Sequence, residues 1–201
     1  MSLQALLASA TPIRHKLRSS GNPESTNVET RLDVSARHVA ATRLGAELFD
    51  SPGALGVFAD GATVQTGALL MAFGSGQTSI DLCATALLRW LGAVPPPGRE
   101  HDFGDLRQRV EDGRVRLTKD EQSWFDAIAT SNTGGQLTDL RHAIIHRVVR
   151  QDVRVVIGGN HSTTISPSTA SAGTEEANIT LNRVAKFVED RWHDFWQGLR
   201  M

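Results

Sequence analysis

The sequence predicts a mainly α-helical protein that carries a small β-hairpin near residues 153–166. Three observations lead to that fold class. Apolar residues recur three to five positions apart over long stretches, as at Val34, Val39, Leu44 and Leu48, which is close to the helical period. Thr118-Lys119-Asp120-Glu121 matches a capping box, where hydroxyl and carboxylate satisfy orphan N–H groups reciprocally. Against these stands one β-branched run, Val153-Arg154-Val155-Val156-Ile157. The turn Gly158-Gly159-Asn160 leads it back through Thr163-Thr164-Ile165.

Taken in order, residues 2–18 predict a first helix that Pro12 breaks or kinks. Ser19 to Asn27 is dense in turn residues and reads as a loop. A second helix is expected over about 29–49, stopped by Ser51-Pro52-Gly53. Val64 to Gly92 is the most apolar part, and Gly74-Ser75-Gly76 is expected to split it into 64–73 and 78–91. The second piece gathers Ile80, Cys83, Ala84, Leu87, Trp90 and Leu91 on one broad face, as in a buried helix. Ala93–Gly98 reads as a stiff proline connector and Asp105–Asp112 as a short charged segment. The capped helix spans about 118–130 with Trp124, Phe125 and Ile128 inward, and Ser131–Gly135 ends it. The next helix is expected from about Thr138 to Arg150, and the last over 181–199. The aromatics Phe187, Trp192, Phe195 and Trp196 of that last helix suit the core or a subunit contact better than a base-stacking platform. The connector is too close to short flanking pieces to separate domains, so residues 1–201 read as one domain.

Composition narrows the functional classes. With 21 basic and 22 acidic residues the net charge is −1, so bulk positive charge cannot hold nucleic acid, although a local basic patch can. Hydrophobic residues make up 40 %, too many for a disordered chain. The lone Cys83 excludes an intrachain disulfide and a multi-cysteine metal site, and reads as a small buried hydrophobe. No apolar run approaches the ~18 residues that cross a bilayer. Residues 1–7 lack the basic region and long apolar core of a signal peptide, so the cytoplasm is the expected location and no membrane partner is expected. A phosphate-binding Gly-x-x-x-x-Gly-Lys-Ser/Thr loop and a Gly-x-Ser-x-Gly elbow are both absent, and Gly74-Ser75-Gly76 lacks the third glycine of a dinucleotide fingerprint.

The segment with candidate chemistry is Gly134–Arg147. An arginine followed by a histidine with four to six residues between them occurs three times, at Arg31/His38, Arg141/His146 and Arg154/His161. Context favours the second, which is expected to open a helix after a glycine-rich turn and is flanked by Leu140, Ile144 and Ile145. A histidine titrates near neutrality and can take a proton from a ribose hydroxyl or return one to a leaving oxygen. An arginine presents a planar fork of donors to the charge that builds on a phosphate. Five residues turn a helix by about 140°, so Arg141 must reach around toward His146.

Leu140-Arg141-His142-Ala143-Ile144-Ile145-His146 resembles the R-x4-6-H motif of HEPN domains, helical proteins that bind or cleave RNA and nucleotides. The resemblance covers roughly residues 65–150 and the terminal helix 181–199, with helices 2–50 as an extension and the hairpin as an insertion. It implies a HEPN-like bundle, a homodimer whose two motifs face one another, and metal-independent endoribonuclease activity. His146 would be the acid/base, Arg141 the phosphate ligand, and His142 would stand where the family often has Asn or Asp. No metal or organic cofactor is implied, and a neutralising partner protein is.

Two other readings stand beside it. His142 and His146, four apart, could hold a metal ion with His38, His101 or Glu121 as a third ligand. Alternatively, Arg141 pairs with Asp139, His146 is an interior histidine, and the protein is a non-catalytic binding or scaffold module. Arg147, Arg150 and Arg154, opposed only by Asp152, read as a solvated face or the edge of an RNA groove.

Overall fold

The computed structural model describes residues 2–51, 61–96, 98–138, 155–157, 163–165 and 175–199, and over these the chain is mainly helical. The helices are α1 (Leu3–Ser9), α2 (Thr11–Ser19), α3 (Ser25–Asp50), α4 (Gly61–Trp90), α5 (Phe103–Glu111), α6 (Lys119–Ala129), α7 (132–138) and α8 (Ala177–Gly198). Three short segments, β1 (Val155–Ile157), β2 (Thr163–Ile165) and β3 (Glu175–Glu176), pair antiparallel in that order, with Val156 opposite Thr164.

Local chemistry accounts for the boundaries. Ser2 caps α1 by accepting from the Ala5 N–H. Ala10 ends that helix and opens α2, which places Pro12 in a first turn where its missing N–H costs nothing. The Asn22 side chain accepts from the Glu24 N–H, so the turn-rich segment closes early and α3 starts at Ser25, four residues before its expected start. The capping box forms as expected: the Glu121 N–H donates to the Thr118 hydroxyl, and Glu121 Oε2 accepts from the Thr118 N–H at 2.8 Å.

Three expectations are corrected. Gly74-Ser75-Gly76 does not split the apolar stretch, because α4 runs unbroken from 61 to 90. Each interior glycine costs a helix up to about 1 kcal/mol. Burial of Ala72, Phe73, Gln77 and Ile80 around the glycines offsets that cost. The charged segment after the connector is itself a helix, α5, capped by Asp102 accepting from Asp105 N–H and holding Leu106 fully buried. Finally, Gly134 and Gly135 do not form the turn after α6; they lie within α7, and the helix expected from about Thr138 to Arg150 lies beyond 138 outside the described residues.

The chain divides into two compact units, and the division falls inside α3, α4 and α8. The first unit comprises Met1–Ala40, Thr78–Ser131 and Val188–Met201. Leu32, Leu87, Leu88, Leu106, Trp192 and Trp196 are buried in its core. Ser35 organises the polar part of that core. Its hydroxyl accepts from the Trp192 indole N–H at 2.8 Å and donates to the Leu32 carbonyl at 3.0 Å, while Ser79 donates to the Ser35 carbonyl at 3.2 Å. Trp124 packs against Phe103 and Phe195 and donates its indole N–H to the Arg191 carbonyl. Trp192, Phe195 and Trp196 are thus core residues of this unit. Cys83 is a buried free thiol whose pKa burial pushes up, as the reading of a small hydrophobe requires.

The second unit comprises Ala41–Gln77 and Asn132–Phe187. Its buried residues include Phe49, Phe73, Leu137, Leu181 and Val184. At Gly45 the α3 backbone approaches α4 so closely that a Cβ would stand 2.7 Å from the Ala68 carbonyl oxygen. Among the described residues, no helix is long and apolar enough to cross a membrane.

Candidate functional site

Arg141, His142 and His146 lie in 139–154, outside the described residues, as do Asp139, Arg147, Arg150 and Arg154. The structure describes the chain up to Thr138. The Thr138 hydroxyl donates to Gln77 Oε1 and to the Gly134 carbonyl, each at 3.2 Å. Arg183 Nη2 donates to Gln136 Oε1 at 2.7 Å, and Leu137 is fully buried. Helix α7 is therefore fastened to both α4 and α8 just before Arg141. Its first residue is 132, nine positions before Arg141. The helix start expected next to Arg141 lies outside the described residues.

The residues considered as third metal ligands are engaged elsewhere in the first unit. His38 is half-buried, and burial holds its imidazole below its usual range. His101 is buried with Nδ1 3.1 Å from Asp105 Oδ2. Glu121 spends one carboxylate oxygen on the capping box. No group of three potential metal-ligating side chains occurs among the described residues.

A charged cluster that sequence reasoning missed stands where α4 ends. Arg31 on α3 and Arg89 on α4 have side chains only 12 % and 13 % exposed. Glu100, in the connector after α4, is 61 % exposed. It places both carboxylate oxygens on Nη2 of Arg31, at 2.8 and 2.7 Å, and one at 3.5 Å from Nη2 of Arg89. Arg89 Nη1 donates to Glu24 at 3.1 Å, and Arg31 Nη1 to the Asn27 carbonyl at 3.1 Å. Burial opposes ionisation of Glu100, but the hydrogen bond and charge of Arg31, with the charge of Arg89, hold its carboxyl below the usual range. No spacing in the sequence could have found this cluster, because its members come from three separate segments. A second feature is an open groove of about 440 Å³ lined by Asp120, Ser123, Asp194 and Gln197. Arg191 on its wall is held by Asp194 at 2.7 Å.

No protein-family model, curated protein or solved structure matches this chain.

Proposed function

We propose that this chain is a HEPN-like, metal-independent endoribonuclease that acts as a homodimer, with Arg141 and His146 of both copies in one composite cleft. The observation that carries the reading is the Arg141-x4-His146 spacing, flanked by Leu140, Ile144 and Ile145, in a mainly helical chain. The anchoring of α7 by Gln77 and Arg183 supports it, since a catalytic pair needs a rigid base. On this reading the ribose 2′-hydroxyl attacks the adjacent phosphorus and the bond from phosphorus to the 5′-oxygen breaks. The products are a 2′,3′-cyclic phosphate and a free 5′-hydroxyl. His146 accepts the 2′-hydroxyl proton or returns one to the leaving oxygen. Arg141 bears on the non-bridging oxygens, with His142 as a polar neighbour. The β-hairpin is an insertion into the helical plan, and a neutralising partner protein is part of the proposal.

The test is cleavage of end-labelled RNA by the full chain in excess EDTA. Wild type is expected to cleave and leave cyclic phosphate ends. Because general acid–base catalysis contributes about 10²–10⁴-fold, His146→Ala should slow cleavage by that factor. Absence of cleavage by wild type would transfer the assignment to a non-catalytic binding module. Cleavage unchanged in His146→Ala would remove this site from the reaction.

A further inference from the structure

The Arg31–Arg89–Glu100 cluster is built as an anion site whose present occupant fits it poorly. Both guanidiniums are nearly buried, while the carboxylate that joins them is the exposed member of the set. Glu100 crowds both oxygens onto one nitrogen of Arg31. Arg31 Nε, on the same side of the fork, is buried with no hydrogen-bond partner among the described residues. Arg89 Nε is in the same condition, and Glu100 reaches Arg89 only at 3.5 Å. A carboxylate has two oxygens in one plane. A tetrahedral phosphate offers three on one face, enough to take the Nε/Nη2 edge of Arg31 and still reach Nη2 of Arg89. Glu24 stays on the far edge of Arg89. With Glu100 swung away, the two arginines less Glu24 leave one net positive charge facing solvent.

Glu100 can leave by rotation of its exposed side chain alone. Its neighbours stay in place, because Arg99 pairs with Asp105 and the buried His101 accepts at its carbonyl from the Thr85 hydroxyl. We propose that Arg31 and Arg89 form a binding site for a phosphate group, which Glu100 occupies as a displaceable intramolecular stand-in. The proposal uses neither Arg141 nor His146 and does not rest on the ribonuclease reading.

The experiment is calorimetric titration of the full chain with inorganic phosphate, in parallel with a nucleoside 5′-monophosphate. Glu100→Gln removes the competing charge and should tighten phosphate binding at least tenfold over wild type. Arg31→Lys in the Glu100→Gln background keeps the charge but loses the planar fork, and should reverse that gain. Circular dichroism melting of each variant separates lost binding from lost folding. Equal affinity for the two probes assigns the site to the phosphate group alone, and tighter binding of the monophosphate to a nucleotide. The proposal is overturned if a folded Glu100→Gln chain binds neither probe more tightly than wild type. It is equally overturned if Arg31→Lys leaves the gained affinity intact, since Glu100 would then be only a tether for the connector.

Discussion

At the scale of single residues, the tightest constraint is at Gly45. A Cβ there would stand 2.7 Å from the Ala68 carbonyl oxygen and 2.8 Å from the Ala72 amide nitrogen, both backbone atoms that cannot swing aside. Gly45→Ala should force α3 and α4 apart within the second unit and cost about 1–3 kcal/mol, the usual range for overpacking. A chain of this size loses ~2–4 °C of Tm per kcal/mol, so calorimetry should register the change clearly. An unchanged Tm would show that the crossing is looser than described. The same glycine had no sequence signal, because what makes it necessary is a backbone on another helix. Thr118 and Glu121 are the opposite case, since both partners of the capping box lie within four residues and were legible at once.

At the scale of elements, α4 shows how local and tertiary preferences compete. Gly74 and Gly76 read as a break, and in isolation they would weaken the helix. The helix persists because apolar residues on both sides of the glycines are buried along its length. Gly74 makes no close approach, with nothing within 4 Å of a Cβ built there. Gly74→Ala should therefore stabilise the protein by about 0.5–1 kcal/mol through the lower entropy of the unfolded chain. Denaturant unfolding would reveal it as a higher midpoint at unchanged slope; a lower midpoint would mean that the glycine does have a neighbour. Helix α5 was missed for a different reason. Its nine residues contain only three large apolar positions, Phe103, Leu106 and Val110, and their helical spacing together with the cap at Asp102 is the cue that the charge of the segment masks.

At the scale of the molecule, acid should act in two stages. Burial depresses the His38 pKa below 6.5, so the unfolded chain takes up that proton first and stability falls as pH drops through the range just below 6.5. The Glu29 carboxyl is held down by its hydrogen bond to Arg18, and Glu100 by Arg31 and Arg89. Their folded pKa values lie below the unfolded value of 4.5, so their contributions are intact above it and are lost as pH falls further. Unfolding midpoints measured from pH 7.5 down to 3 should show both declines, and His38→Gln should abolish the upper one. A flat profile between pH 7 and 5.5 in wild type would contradict the burial of that imidazole.

The sequence by itself determined what short-range chemistry decides: a mainly helical chain, the cap at 118–121, the junction at Pro12, the inward face of α6 and the buried thiol. It also supplied the Arg141–His146 motif, whose residues fall outside the described structure. Tertiary structure decided everything that depends on partners far along the chain. It carried α4 through its glycines, placed Gly134 and Gly135 inside a helix and turned the aromatics of α8 into core. It also brought Arg31, Arg89 and Glu100 together, although 58 positions separate the two arginines. Caps and helical periods act over a few residues and leave a pattern that can be read in order. Burial and ion pairing join residues according to where the chain has folded, and no spacing records that.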